Sequence, residues 1–95
     1  MRVEFSALAL VELDDILRYI EERNLSAARK LRAFIFLALQ RISRFPEAAQ
    51  RVAERPAVRR LPLVRYPYAL YYEIGNDVVT IVRILHTSRA PFVGS

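Results

Sequence analysis

Up to Arg44 the apolar residues of this chain return every three or four positions, and from Val58 onward they gather in short runs rich in Val, Ile, Leu and Tyr. The first spacing is that of one helix face, the second that of β-strands. A chain of 95 residues has room for a single core, because a domain of this size buries only roughly 60–65% of its unfolded surface. Helices and sheet must therefore share that core, which defines an α+β domain spanning residues 1–95.

Residues 2–5 read as a first strand, and Ser6 is suited to cap a helix through its hydroxyl. Leu10, Leu13, Ile16, Leu17 and Ile20 form the inward stripe of that helix, while Glu12, Asp14, Asp15, Arg18 and Glu22 fall largely between them. Residues 21–25 end it, and Ser26 is placed to cap the next. The second helix is expected over about 27–44, with Ala28, Leu31, Ile35, Ala38 and Ile42 inward. Phe45-Pro46 stops it, since proline disfavours helical geometry in the residue before it. So short a connection makes the two helices antiparallel neighbours. Phe34, Phe36, Leu37 and Leu39 carry apolar surface beyond the stripe, so the second helix is either wedged between layers or reserves a face for association.

Residues 46–57 contain two prolines and little periodicity, and read as a loop with at most one helical turn. Three strands should follow at 58–64, Tyr68–Ile74 and 78–85, the last two joined as a hairpin by Gly75-Asn76-Asp77. Alternation puts Tyr68, Leu70, Tyr72 and Ile74 on one face. In the final strand it groups Val78, Thr80, Val82, Ile84 and His86 against Val79, Ile81, Arg83 and Leu85. Both of those faces are mainly apolar, as in an interior strand. The first strand could then lie against the last or beside the second. The expected fold is β-αα hairpin-βββ, a single antiparallel-meander sheet packed on two helices.

The formal charge is +5, and all of the excess lies in one stretch. Residues 41–65 hold seven arginines against Glu47 and Glu54, whereas the flanking segments are neutral. Fourteen of the fifteen basic residues are Arg, whose planar fork suits phosphate or carboxylate; the bland alternative is an ordinary solvated surface. With no cysteine, neither a disulfide nor a thiolate metal site can form, and a cytoplasmic setting is expected. The longest apolar run, residues 33–39, is far below the ~20 residues of a membrane-spanning helix. The first five residues lack the pattern of a secretory signal. One histidine and scattered carboxylates offer no metal-ligand spacing, and two glycines cannot build a phosphate loop; no cofactor and no metal are expected.

Four stretches, in this order, resemble the RelE/ParE superfamily of toxin–antitoxin modules. They are Phe5-Ser6 leading into Leu13-Asp14-Asp15-Ile16; Glu22-Arg23-Asn24 followed by Ala27-Ala28-Arg29; Arg41-Ile42-Ser43-Arg44-Phe45-Pro46; and Arg60-Leu61-Pro62 through Tyr66-Pro67-Tyr68-Ala69-Leu70-Tyr71-Tyr72 to Ile84-Leu85-His86-Thr87-Ser88-Arg89. The resemblance implies a toxin neutralised by an antitoxin whose amphipathic segment wraps the helical hairpin and sheet, with Phe34, Phe36 and Leu37 as the docking surface. It implies one of two activities. RelE-like members cleave messenger RNA on the ribosome, and ParE-like members inhibit DNA gyrase without being nucleases.

Metal-free RNA cleavage needs an acid, a base and cations around one phosphate. RelE-like nucleases tend to place lysines before the sheet and an arginine on the strand matching Tyr68–Ile74. Here no lysine follows Lys30, and Tyr66-Pro67-Tyr68 looks more like the ParE-type pattern. If the chain is a nuclease, His86 with Arg83, Arg89 and Tyr71 is the set left to serve, since histidine titrates near neutrality. Otherwise His86 is a side chain bonded to nearby backbone or a tyrosine, and the tyrosines are sheet packing. The acidic residue usual in the family after the final arginine is replaced by Ala90-Pro91. The favoured reading is a ParE-like toxin that binds gyrase through Arg59, Arg60, Arg65 and Arg89. A ribosome-dependent endoribonuclease and an inactive interaction module of the same fold are the alternatives.

Overall fold

The computed structural model describes residues 1–89. Its elements are β1 (Arg2–Phe5), α1 (Ala7–Glu21), α2 (Leu25–Arg44), β2 (Gln50–Val52), β3 (Arg55–Pro62), β4 (Tyr68–Ile74) and β5 (Val78–His86). Both helices pack on one face of a five-stranded sheet ordered β1-β5-β4-β3-β2. The expected α+β architecture is present, with two additions. β1 runs parallel to β5, so the sheet is mixed, and the first strand lies against the last. The doubly apolar β5 is thereby interior, between β1 and β4.

The second addition is β2, inside the stretch expected to be a loop. It pairs antiparallel with β3, with Gln50 opposite Arg60 and Arg51 opposite Arg59, and then the register jumps so that Val52 meets Arg55. Pro56 falls in that irregularity, where its missing N–H breaks no ladder bond. Arg51 Nη1 donates to the Pro56 carbonyl at 3.1 Å and closes the gap. Two prolines thus concealed β2, and Pro56 is accommodated in its partner β3.

The helix starts follow side-chain capping. Ser6 Oγ accepts from the Ala9 amide at 3.0 Å, as expected. The second cap is Asn24 rather than Ser26, its Oδ1 accepting from the Ala27 amide at 3.0 Å; asparagine two positions earlier captures the free N–H groups first. On α1, Leu10 is 53% exposed and Ala9 is fully buried. A four-residue step back from Leu13 lands on Ala9, whose small side chain lets the helix approach the sheet. The α2 stripe of Ala28, Leu31, Ile35 and Ile42 is buried as expected, and the helix ends at Arg44 with Phe45 as its cap.

The main core joins these stripes to Leu63, Leu70, Tyr72, Val79, Ile81 and Ile84. Val58, Ala69, Tyr71 and Leu85 form a separate, smaller cluster, which strand alternation places on the sheet face away from the helices. In β5 the alternation is broken once. Tyr71 pairs with Arg83 and Tyr72 with Ile81, leaving Val82 as an extra residue in a β-bulge. Val79 and Ile81 face the helices before the bulge, and Ile84 after it. Strict alternation, which grouped Ile84 with Val78, therefore failed beyond Val82.

Tyr72 is 1% exposed and donates its hydroxyl to the Pro46 carbonyl at 2.6 Å, pinning the segment after α2. Burial raises its pKa above 10.0, against the opposing charge of Arg59. A folded-state value above the unfolded one means that this contribution is complete below about pH 10 and is lost as pH rises through the folded value. Tyr72→Phe should lower stability by about 1–2 kcal/mol in urea unfolding at pH 7. The loss of stability on going above about pH 10 should then be shallower than in the parent.

Candidate functional site

β1 covers only Val78 to Ile81 of β5, so the second half of β5 would present an open edge. Groups at and beyond the start of α1 close it. The Ser6 amide donates to the Ile81 carbonyl at 2.9 Å, and Ser6 Oγ donates to the Val82 carbonyl at 3.2 Å. Six residues further on, Glu12 Oε1 accepts from the Ile84 amide at 3.0 Å. The same carboxylate receives Arg83, through Nε at 2.9 Å and Nη2 at 2.6 Å. The pair is largely shielded, with side-chain exposures of 24% for Arg83 and 13% for Glu12. Hydrogen bonding to Glu12 holds the Arg83 pKa above its ordinary value, outweighing burial, which works against the charge. Glu12, read from sequence as a wet-face residue, is therefore the residue that sequence reasoning missed. Its partners lie 71 and 72 positions away, and no local pattern announces them.

Across the sheet, Gln50, Arg60, Tyr71 and Arg83 occupy one transverse row of β2, β3, β4 and β5. Arg60 Nε donates to the Tyr71 hydroxyl at 3.2 Å, and Tyr71 is 3% exposed. His86 is set apart from this row. It pairs with Tyr68, one step beyond Leu85, and so points to the opposite face. Its ring meets Tyr68 edge-on at 5.7 Å. Nδ1 lies 3.1 Å from the Ser88 amide and 2.9 Å from the Ser88 hydroxyl. Of the four residues considered for a nuclease, Tyr71 and Arg83 are neighbours, and His86 does not join them. Arg89 donates its amide to the His86 carbonyl in the turn that follows β5. Ala90-Pro91 lies outside the described residues.

The arginine-rich segment divides into internal and outward groups. Arg59 Nη1 donates to the carbonyls of Glu47 and Ala49 at 2.9 and 2.8 Å, bracing the turn before β2. Arg65 and Arg89 are exposed on two connections at one end of the sheet, tied together by the Thr87 amide on the Pro67 carbonyl at 2.8 Å. Arg60 is half-buried on the face between.

The three apolar candidates on α2 also separate. Phe34 is half-buried and packs edge-on against Tyr66 at 5.2 Å. Leu37, exposed, joins Phe34 along a groove floored by Leu61 and Leu63. Phe36, also exposed, borders a different groove with Phe5, Leu13 and Leu17. Charge follows the helices in a way the sequence segments obscured. α1 holds Glu12, Asp14, Asp15 and Glu21 against Arg18 alone, whereas α2 holds Arg29, Lys30, Arg32, Arg41 and Arg44 with no acidic residue. Among the described residues no group of His, Asp or Glu is arranged to hold a metal, and no helix is long and apolar enough to cross a membrane.

Comparisons with known proteins match this architecture of a helical hairpin on a five-stranded sheet. A solved structure, the chromosomal ParDE toxin–antitoxin system from P. aeruginosa, matches with a TM-score of 0.64 over 90% of this chain and 95% of that one, at 22% identity, a likeness of fold. A curated relative from Sinorhizobium fredii, described as "Putative toxin Y4kP", is 33% identical over 88 residues, covering 93% of this chain and 90% of the relative. The model of the ParE toxin of type II toxin–antitoxin systems, parDE, matches residues 3–91. This chain belongs to the ParE toxin family.

Removing the charge of Glu12 while keeping an acceptor isolates the ion pair. Glu12→Gln should lower the unfolding free energy by about 2 kcal/mol, since it leaves a shielded guanidinium without its counter-charge. Adding Arg83→Met should recover part of that loss in a double-mutant cycle. A change below about 0.5 kcal/mol in Glu12→Gln, typical of exposed pairs, would contradict the assignment.

Proposed function

We propose that this chain is a toxin that arrests growth by binding DNA gyrase in the cytoplasm, without catalysing a reaction, and that a cognate antitoxin neutralises it by covering the helical hairpin. Family membership supports the toxin reading. The observation that favours binding over RNA cleavage is the occupation of Arg83: its guanidinium is closed on Glu12, and His86 lies on the other face from Tyr71. A metal-free nuclease needs its acid, base and cations to converge on one phosphate. Arg65 and Arg89, exposed at one end of the sheet, are then the cations turned toward a target, with Arg60 held beside them on Tyr71 and Arg59 supporting them from within. Phe36 and Leu37 supply exposed antitoxin contacts, with Phe34 beneath Leu37 in the same groove.

A supercoiling assay tests this reading. Purified toxin should inhibit gyrase, the antitoxin should relieve the inhibition, and Arg65→Ala with Arg89→Ala should weaken it by on the order of tenfold. Normal supercoiling at large toxin excess, in a protein that still arrests growth, would remove gyrase as the target. Cleaved transcripts in primer extension from induced cells would put the ribonuclease in its place.

A further inference from the structure

Arg65 and Arg89 are exposed and make no ion pair or side-chain hydrogen bond among the described residues. By contrast, Arg2, Arg18 and Arg23 each lie beside a carboxylate, Arg51 and Arg59 donate to carbonyls, and Arg60 and Arg83 are held by Tyr71 and Glu12. The sheet sets where the two unpaired cations stand. The Thr87 amide donates to the Pro67 carbonyl at 2.8 Å, one step beyond the Tyr68–His86 pair that ends the β4–β5 ladder. Arg65 and Arg89 each lie two residues past that joint, one on the β3–β4 connection and the other after β5. A turn holds each connection, the Tyr66 amide donating to the Leu63 carbonyl at 3.3 Å and the Arg89 amide to the His86 carbonyl at 2.9 Å. Residues 63–67 and 86–89 contain no Asp or Glu. We propose that these two turns form a phosphate clamp that takes the backbone of duplex DNA; the choice of DNA among nucleic acids rests on the gyrase reading.

Two guanidiniums fixed at one end of a sheet without a counter-charge repel each other, and an anion between them reverses the sign of that interaction. The planar fork of each matches two phosphate oxygens at once. Thr87, also exposed, adds a hydroxyl donor between them. Val64, next to Arg65, is 92% exposed. A free phosphate ion offers this side chain nothing, whereas in a nucleic-acid backbone each phosphate is flanked by sugars with apolar C–H faces. The polymer therefore fits the rim better than the free ion. Charge also separates DNA from the protein that carries it. A surface that binds DNA is itself cationic, so a rim of this sign is repelled by such a surface when bare and attracted to the DNA lying on it.

Fluorescence anisotropy of a labelled duplex, titrated with the toxin at a series of low salt concentrations, tests the clamp. The log of the association constant should fall against the log of salt with a slope of about −2, each phosphate contacted contributing about 0.9. Arg65→Ala and Arg89→Ala should each make the slope shallower by about one. Arg29→Ala with Arg32→Ala, at exposed positions of the equally basic α2, should keep it. Circular dichroism verifies the fold of each variant. A slope that survives both rim variants and falls in the α2 pair would overturn the proposal by moving the DNA to the helix. So would tighter binding of a single-stranded RNA of equal length, or release of the duplex by inorganic phosphate at constant ionic strength, which would leave a site for the free ion. The supercoiling assay keeps the two readings apart. A toxin that binds the duplex through the rim and leaves supercoiling intact removes gyrase and keeps the clamp, whereas one that inhibits supercoiling and does not bind the duplex at low salt removes the clamp alone.

Discussion

The structure hangs on how the second half of β5 is completed. A short first strand cannot cover a nine-residue neighbour, and an unpaired strand edge beside a helix leaves backbone groups that need partners. Ser6 and Glu12 supply them from the chain that continues beyond β1, so that side chains extend a pairing begun by backbone. Glu12 does two things at once. It accepts the Ile84 amide and neutralises Arg83, and in doing so fixes α1 against the sheet just past the bulge at Val82.

That arrangement decides which parts of the molecule face outward. With Arg83 held at the edge and Arg59 turned in on carbonyl groups, the cations displayed at the β3–β4 end of the sheet are those of the rim at Arg65 and Arg89, with Arg60 half-buried beside them. The bulge has a second effect, since it sends Ile84 and His86 toward the helix side and leaves Tyr71 facing away from them. A helix docked on one face also leaves its own outer surface open, which is where α1 and α2 display apolar groups between opposite charges. One strand and its edge thus set which charged and apolar groups the molecule turns outward.

Most of the frame was legible because it depends on local rules. The Ser6 cap, the α2 stripe, the stop at Phe45-Pro46 and the hairpin at Gly75-Asn76-Asp77 each require only a few neighbouring residues. The errors have a common physical cause in long-range geometry. Strand β2 was hidden by proline, which is tolerated where the ladder is already irregular. The bulge at Val82 cannot be seen in a sequence that alternates apolar residues on both faces of β5. Glu12 sits among charged neighbours and looked solvated, because its partners lie near the other end of the chain. Dividing the charge at residue 40 cut α2 in two and concealed the contrast between the helices. The site was accordingly less legible than the fold: its residue types could be named, but their grouping depended on a register shift and one distant ion pair.

Amide hydrogen exchange at Ile84 reports most directly on whether Glu12 closes the β5 edge. An amide held by the carboxylate should be protected to within about tenfold of the amides in the β4–β5 ladder, as one cooperative unit opens. Exchange of Ile84 at the rate of freely solvated edge amides, while that ladder stays protected, would contradict it.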